Sequence, residues 1–280
     1  MIIKKRRKPL PLEKLDAAIP RLSPQFHDWQ NIKSDAAIMQ KGYTGELKVD
    51  YHLEYLANQY TILQDVYLKV NGKNFQIDSA IIAEHAIYLV DAKNYSGTIT
   101  FDTILKQLTR SDGKMESGYE YPITQVENQR FHLQNLLSQQ HLTNIPIFCL
   151  IAISEPSTVI KVIGDTESLS KIVAHGARVP SMILEKEQQL KQEGYRKLSH
   201  RKIGNHILNL CGTFDKNSIK QYNIKPTDLM PGVFCPECGK LGMERIYGSW
   251  HCDKCDNYSK TAHLSALSDY LLLVKTLYDE

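Results

Sequence analysis

The sequence has 280 residues, enough for one sizeable hydrophobic core and a small appended module but not for three large domains. Its 42% hydrophobic and 23% charged residues exclude a disordered or fibrous chain, and a net charge of +3 does not by itself indicate a nucleic-acid partner. No apolar stretch approaches the roughly 20 residues of a membrane span. No apolar core follows the first charged residues, so we expect no membrane segment, no secretory signal and a cytoplasmic location.

Residues 1–40 contain four prolines and a run of five basic side chains, and we predict an extended N-terminal arm that contains one short helix. The basic run is Lys4, Lys5, Arg6, Arg7 and Lys8. Such a run can bind a phosphate backbone electrostatically. It is also typical of a solvated chain terminus, and the composition leaves both interpretations open.

A helical pattern begins after Gly42. Its members recur at spacings of three and four residues, which is one face of a helix, and they are Glu46, Val49, Leu53, Leu56 and Tyr60. Because Glu46 is the first member of an otherwise apolar stripe, we expect its carboxylate to point toward the body of the protein.

Three strands are predicted next, at residues 61–70, 74–82 and 86–93. Asn71-Gly72 between the first two is the strongest short signal for a β-hairpin. The second and third are joined by a few residues around Glu84-His85, so we expect them to pair antiparallel as well.

The rest of the chain is predicted as alternating helices and strands. A helix begins near Pro122, a residue favoured in a first turn, and ends near Ser138. Residues 145–153 form a continuous apolar run that is typical of a strand buried on both faces. Further elements are predicted as a strand at 159–163, helices over 181–211 with a break near 194, a linker at 216–231, and an amphipathic helix at 262–277 that could pack on a second copy of the chain.

Four of the six cysteines form two Cys-x-x-Cys pairs, Cys235–Cys238 and Cys252–Cys255, separated by thirteen residues. Two such pairs at this spacing predict a closed tetrahedral zinc site with no position for a substrate. A redox Cys-x-x-Cys would be a single pair that opens a helix after a strand. His251 is a further candidate ligand, but four thiolates already complete the site. A module this small needs the metal in order to fold.

A group of charged residues falls on one face of the predicted hairpin. If Glu84-His85 is a two-residue turn, Asp78 lies opposite Asp91, and Lys93 follows on the same face. Clustered carboxylates cannot all ionise without a cation, and oxygen ligands favour Mg²⁺ or Mn²⁺. Such an ion polarises a phosphoryl oxygen and generates hydroxide, so the pattern indicates phosphodiester hydrolysis. Taken singly, each residue could instead be a turn cap or a surface ion pair.

Four segments of the sequence resemble the nuclease-related domain (NERD) family, which is assigned to the PD-(D/E)xK nuclease superfamily. The segments are Gly42-Tyr43-Thr44-Gly45-Glu46, Gln76-Ile77-Asp78, Val90-Asp91-Ala92-Lys93-Asn94-Tyr95-Ser96-Gly97 and Tyr121-Pro122-Ile123-Thr124-Gln125. The C-terminal cysteines resemble a topoisomerase-type zinc ribbon. Ile77 stands in place of the superfamily's proline, and Asp91 stands where the family more often has glutamate, which is one methylene longer.

The resemblance implies a restriction-endonuclease-like α/β fold, a mixed sheet flanked by helices, with a small zinc ribbon and a C-terminal helix appended. It makes Asp78 and Asp91 the Mg²⁺ or Mn²⁺ ligands, with the Ala92 carbonyl as a third ligand. Lys93 would orient water, Glu46 would be a ligand or base on the helix, and Gln125 a supporting polar contact.

We therefore predict four segments: a basic arm at 1–40, a nuclease-related domain at 41–228, a zinc ribbon at 229–259 and a C-terminal helix at 260–280. The first functional hypothesis is a metal-dependent nuclease that acts on DNA or RNA, with the ribbon as a contact for nucleic acid or a partner. The alternative is a catalytically silent module that binds nucleic acid on the same fold. A purely structural scaffold would leave the acidic cluster unexplained.

Overall fold

The structure of the protein is a computed structural model that describes residues 1–214 and 218–275. The chain divides into two compact units. Unit 1 comprises Met1–Arg7 and Lys41–Thr213, and unit 2 comprises Lys8–Gln40 and Phe214–Glu280. The first 40 residues are thus divided between the two units.

The described residues form eight α-helices and thirteen strands. The helices are α1 (Leu10–Ala18), α2 (Trp29–Leu53), α3 (Pro122–Gln139), α4 (Thr166–Ser170), α5 (Val179–Gln192), α6 (His200–Leu210), α7 (Ser218–Gln221) and α8 (His263–Tyr270). The strands are β1 (Ile2–Lys4), β2 (Thr61–Val70), β3 (Lys73–Ile82), β4 (Ile87–Lys93), β5 (Thr98–Asp102), β6 (Gln107–Ser111), β7 (Glu116–Tyr119), β8 (Ile147–Ile153), β9 (Val159–Ile163), β10 (Val173–His175), β11 (Glu244–Ile246), β12 (Ser249–His251) and β13 (Tyr258–Ser259).

A six-stranded sheet in the order β1-β2-β3-β4-β8-β10 forms the centre of unit 1. The strands β2, β3 and β4 pair antiparallel, whereas β8 pairs parallel with both β4 and β10. Successive side chains of β4 enter opposite cores: Leu89 packs in the core that contains residues of α3 and α6, and Val90 in the core that contains residues of α2 and α5. The predicted mixed α/β fold, a mixed sheet flanked by helices, is confirmed.

The two predicted turns set the registers of β2, β3 and β4. Asn71 and Gly72 have φ values of 50° and 78°, and Val70 pairs with Lys73, so this is a two-residue hairpin turn of the kind that favours Asn-Gly. In the next hairpin Ile82 pairs with Ile87 and Ser79 with Val90. The predicted register, in which the next pair would be Asp78 and Asp91, is therefore confirmed.

Residues 1–40 contain the one short helix that was predicted, α1, but they do not form an extended arm. Strand β1 pairs parallel with β2, and α1 buries Leu12 and Leu15 completely in unit 2. Pro11 lies in the first turn of α1, where a missing N–H costs nothing, so this proline begins a helix and does not mark extended chain. The helix predicted after Gly42 also begins earlier, at Trp29.

A second sheet in the order β7-β6-β5-β9 follows β4 along the chain and was not predicted except for β9. Its strands β6 and β7 are short and carry mostly polar side chains, and every residue of β7 is exposed. Without buried alternate positions there is no period-two hydrophobic pattern to detect.

Unit 2 contains the cysteine-rich segment, whose three strands are ordered β11-β12-β13. The predicted linker contains helix α7 and buries Ile219 and Ile224, so its described part is packed. Helix α8 continues into a π-helical turn over Leu271–Lys275, and the last two residues of the predicted C-terminal helix, 276 and 277, lie outside the described residues. Within the described ranges, no helix is long and apolar enough to cross a membrane.

Candidate functional site

The C-terminal end of β4 carries an acid and a base that face α3. The apolar residues of β4 end at Val90, and Asp91 follows with only 1% of its surface exposed. The Lys93 ammonium lies 2.8 Å from Asp91 Oδ2. The same ammonium donates a hydrogen bond of 2.8 Å to Oε1 of Gln125, in the first turn of α3. Three predicted site residues are therefore brought together.

Asp91 is buried without the hydrogen bonds that a carboxylate normally needs. Its contact with Lys93 is an ion pair, and neither carboxylate oxygen accepts a hydrogen bond of good geometry. Burial, and then the charge of Asp78, raise the pKa of Asp91 to about 7, although Lys93 acts in the opposite direction. Burying an ionised carboxylate without hydrogen-bond donors is unfavourable, and a bound cation would offset this cost.

Asp78, on β3, contacts the end of β4 that carries Asp91 and Lys93. Its Oδ2 accepts a hydrogen bond of 2.9 Å from the backbone N–H of Ala92, which lies between Asp91 and Lys93. Burial raises the pKa of Asp78 despite this hydrogen bond and the nearby positive charges. The β2–β3 pairing is interrupted at Asp78. The pairs on either side are regular, Gln64 with Ser79 and Val66 with Ile77, but Asp65 between them on β2 has a left-handed φ of 54°. Irregular backbone of this kind is common at functional sites.

Glu46 extends from α2. The predicted apolar stripe is confirmed by the complete or near-complete burial of Val49 and Leu53 on this helix and of Leu56 in the 3-10 turn that follows it. Burial, followed by the charge of Asp78, raises the pKa of Glu46 to about 7, and Arg6 opposes this shift. The Arg6 guanidinium donates both to the Glu46 carboxylate and to the backbone carbonyl of Asp78, so Glu46 lies beside the same group of residues.

Two residues of this site, Arg6 and Asp50, were missed by the sequence analysis. The Arg6 side chain is 2% exposed and binds both Glu46 and Asp50, at 2.7 Å each. Asp50 could have been found, because it lies one helical turn after Glu46 on the same face. Arg6 carries no such signal in the sequence, because it is one of five consecutive basic residues, and only the structure shows that Lys5 and Arg7 are exposed while Arg6 points inward.

Gly45 allows α2 to lie close to the end of β4. A Cβ atom at this position would lie 2.6 Å from Cβ of Asn94 and 3.0 Å from Oγ of Ser154. The Asn94 side chain also donates a hydrogen bond of 2.7 Å to the carbonyl of Lys41 on the same helix. The glycine of the Gly-Glu pair therefore determines how closely Glu46 approaches the strand that carries Asp91.

The four predicted cysteines form a compact group in unit 2. Their sulfur atoms all lie within 4.8 Å of one another, with 3.6 Å between Cys235 and Cys255 and 3.6 Å between Cys238 and Cys252. In the described part of the chain this is the only group in which three or more His, Cys, Asp or Glu ligand atoms all lie within 4.8 Å of one another. The cluster can bind a metal such as zinc, because sulfurs around tetrahedral zinc are separated by about 3.8 Å.

The two Cys-x-x-Cys turns have matching backbone geometry. The N–H of Gly239 donates to the carbonyl of Cys235, and the N–H of Asp256 donates to that of Cys252, at 2.9 Å in both turns. Gly239 and Asp256 have φ values of 69° and 57°, so each turn ends in a left-handed residue. His251 binds the Asp256 carboxylate at 2.8 Å and is not one of the clustered ligands.

Residues 41–154 match the family model of the nuclease-related domain. This segment is therefore similar to that domain, and the resemblance seen in the sequence motifs is confirmed. The matched range includes Glu46, Asp78, Asp91, Lys93 and Gln125. No curated protein and no solved structure is significantly similar to the chain.

Proposed function

We propose, from the nuclease-related domain at residues 41–154, that the protein is a metal-dependent nuclease that hydrolyses phosphodiester bonds of DNA. Asp78 and Asp91, with the Ala92 carbonyl, would hold Mg²⁺ or Mn²⁺. When bound, that ion would supply Lewis-acid polarisation of the phosphate and a water of lowered pKa. RNA is the second candidate substrate, since a phosphodiester site of this kind does not distinguish the two.

The observation that carries the proposal is the buried Asp91 carboxylate. It forms an ion pair with Lys93 but accepts no hydrogen bond of good geometry. A carboxylate with a purely structural role at this depth is expected to accept hydrogen bonds from its surroundings. A hard cation would bind the lone pairs of this carboxylate that the ion pair with Lys93 leaves unused.

The charges of the site support a divalent ion. Glu46, Asp50, Asp78 and Asp91 contribute four negative charges when ionised, and the two cations that pair with them, Arg6 and Lys93, contribute two positive ones. The remaining charge of −2 equals what one Mg²⁺ or Mn²⁺ ion neutralises. A bound divalent ion would therefore lower the raised pKa values of Glu46 and Asp91 and allow both carboxylates to ionise.

Lys93 would orient the attacking water and stabilise negative charge on the phosphate. Asp91 and nearby Asp78 raise the pKa of Lys93 although its burial alone would lower it, so the side chain stays an ammonium near neutral pH. The Lys93 ammonium also donates to Gln125, and the two contacts together fix the orientation of its side chain. A fixed ammonium in a partly dry site stabilises developing charge more than the same group in water.

We propose that the cysteine cluster binds a structural Zn²⁺ ion. The support is the sulfur geometry together with the small size of the apolar core around it, in which Val233, Met243 and Ala262 are the buried members besides the cysteines. So few apolar residues cannot stabilise a fold alone. We also propose that this ribbon contacts nucleic acid or a partner and that helix α8 contributes to a homo-oligomer.

The test is cleavage of plasmid and of single-stranded DNA with Mg²⁺ or Mn²⁺, compared with EDTA. Asp91→Asn and Lys93→Ala should each lower the rate by about 100-fold or more. Lys171→Ala is the matched control, because this lysine directly follows α4 and its side chain is 68% exposed, and the variant should cut as wild type does. Failure of the folded chain to cut DNA or, in the same assay, RNA with either metal, or cutting that persists in both site variants, would refute the proposal in favour of a silent binding module.

A further inference from the structure

Arg6 belongs to a run of five basic residues but does not behave as a surface cation. Its side chain is 2% exposed, whereas its neighbours Lys5 and Arg7 are exposed. Strand β1 and the residues after it are held along β2, where the Arg6 N–H donates 2.9 Å to Oε1 of Gln64. This anchored backbone directs the Arg6 guanidinium into the protein.

The Arg6 guanidinium joins helix α2 to strand β3 beside the acidic site. On the helix, Nη1 donates to Glu46 Oε2 and Nε to Asp50 Oδ2, at 2.7 Å each. On the strand, Nη2 donates 2.6 Å to the backbone carbonyl of Asp78 and 3.3 Å to Oγ of Ser79. The Ser79 hydroxyl donates 2.9 Å to Asp50 and closes the network.

We propose that Arg6 is a positioning residue that fixes the Glu46 carboxylate relative to Asp78 and so sets the geometry of the divalent-cation site. The inference rests on the proposed function, because it assigns a role within the same site. It places part of that site outside residues 41–154, in the N-terminal segment that the family match does not include.

The chemistry of arginine suits this role. A planar guanidinium has five donors in fixed directions and can hold two carboxylates and a carbonyl at once. A lysine has the same charge but presents it as one point with a flexible stem, so it could contact Glu46 or Asp50 without fixing both. Arg6→Lys therefore keeps the net charge of the site but no longer fixes the position of the Glu46 carboxylate.

The same contacts would also be expected if Arg6 served only to stabilise the fold. In that case Arg6→Lys would lower the melting temperature, while the folded protein would keep the metal dependence of the wild type. A positioning role predicts a change in metal dependence at temperatures where the variant is fully folded. The two roles therefore give different results in one variant.

The experiment measures DNA cleavage and Mn²⁺ binding for Arg6→Lys and Arg6→Gln. We expect the Mn²⁺ concentration for half-maximal activity to rise and kcat to fall, each by about 10-fold to 100-fold, with little change in KM for DNA, as for partners that orient metal ligands. Arg7→Gln is the matched control, because Arg7 is the exposed neighbour, and it should leave the Mn²⁺ dependence unchanged. If Arg6→Gln does not fold, Arg6→Lys, which retains the charge, decides the question.

A double-mutant cycle shows whether Arg6 acts through Glu46. Arg6→Lys should have little further effect on Mn²⁺ affinity or kcat when Glu46→Gln is already present. An equal effect in both backgrounds, or unchanged Mn²⁺ dependence in folded Arg6→Lys, would overturn the proposal while leaving the nuclease function intact.

The two proposals fail in distinguishable ways. If the wild-type chain binds Mn²⁺ but cuts no DNA or RNA, the nuclease function is wrong. The role of Arg6 is then still decided by Mn²⁺ binding, measured by electron paramagnetic resonance on the same variants. A 10-fold weaker affinity in Arg6→Lys supports the positioning role, and an unchanged affinity contradicts it.

Discussion

Substitution of Gly45 by alanine tests the close approach between α2 and the end of β4. The added Cβ would lie 2.6 Å from Cβ of Asn94, closer than two side-chain carbons can come. Cβ of Asn94 is attached directly to the backbone and cannot move away by a change of rotamer. Either α2 or the chain after Lys93 must shift, and both carry residues of the candidate site.

The magnitude follows from two opposing effects. Overpacking at a buried contact costs about 1–3 kcal/mol, whereas replacing glycine by alanine inside a helix gains about 1 kcal/mol. Gly42 lies on the same helix, is exposed, and has no heavy atom within 4 Å of an added Cβ. Gly42→Ala therefore shows the helix gain alone, and the difference between the two variants is the cost of the contact, about 1–3 kcal/mol.

Thermal unfolding of the two variants, with zinc present, measures this difference. Gly42→Ala should melt at or slightly above the wild-type temperature, and Gly45→Ala should melt roughly 2–10 °C below Gly42→Ala. Because the shift also displaces Glu46, we expect Gly45→Ala to lose DNA cleavage at temperatures where it is folded. Equal stabilisation by both substitutions would show that α2 does not approach β4 as described.

Three further predictions concern the metal centres and the Lys93 contact. Cys238→Ser, or treatment with a chelator, should release about one Zn²⁺ per chain and unfold the ribbon. The unfolding is measured as a change in Trp250 fluorescence in a chain whose other tryptophan is replaced. Unchanged fluorescence after zinc loss would contradict this prediction. Without metal, the pKa of Asp91 is raised to about 7 from 3.8, so its protonation stabilises the fold at low pH and this stabilisation is lost as the pH rises through about 7. Asp91→Asn should then be more stable than the wild type at about pH 8 in EDTA, by roughly 1–3 kcal/mol in urea unfolding, and equal stabilities there would argue against a strained carboxylate. Gln125→Ala removes a hydrogen-bond acceptor of Lys93 and should lower cleavage about 10-fold, whereas Gln134→Ala, an exposed position on the same helix, should not.

Much of unit 1 could be predicted from the sequence because its signals are local. Asn71-Gly72 fits a turn in which both residues have positive φ, and this turn fixed the β2–β3 register. The turn at Glu84-His85 fixed the register between β3 and β4 in the same way, and with it the placement of Asp78 near Asp91. The two cysteine pairs were recognisable because metal ligation requires a fixed spacing within each turn.

The sequence pattern failed where a contact joins distant parts of the chain. Arg6 looked like part of a solvated basic run, since nothing within the run indicates that β1 pairs with β2 about 60 residues later. The prolines of the first 40 residues suggested extended chain, because the sequence does not distinguish a proline in a first helical turn, such as Pro11, from a proline in a loop. Strands β6 and β7 lack a buried face and so lack the hydrophobic alternation that marks a strand.

By itself, then, the sequence determined the hairpins, the helix that carries Glu46, and the two sets of candidate metal ligands, because each depends on residues close together in the chain. Only the tertiary structure decided how those ligands are held. The burial of Asp91 depends on strands β3 and β8 on either side of β4, and the position of Glu46 depends on a guanidinium 40 residues away. Charge balance and hydrogen-bond geometry are properties of atoms in space, and linear spacing does not encode them.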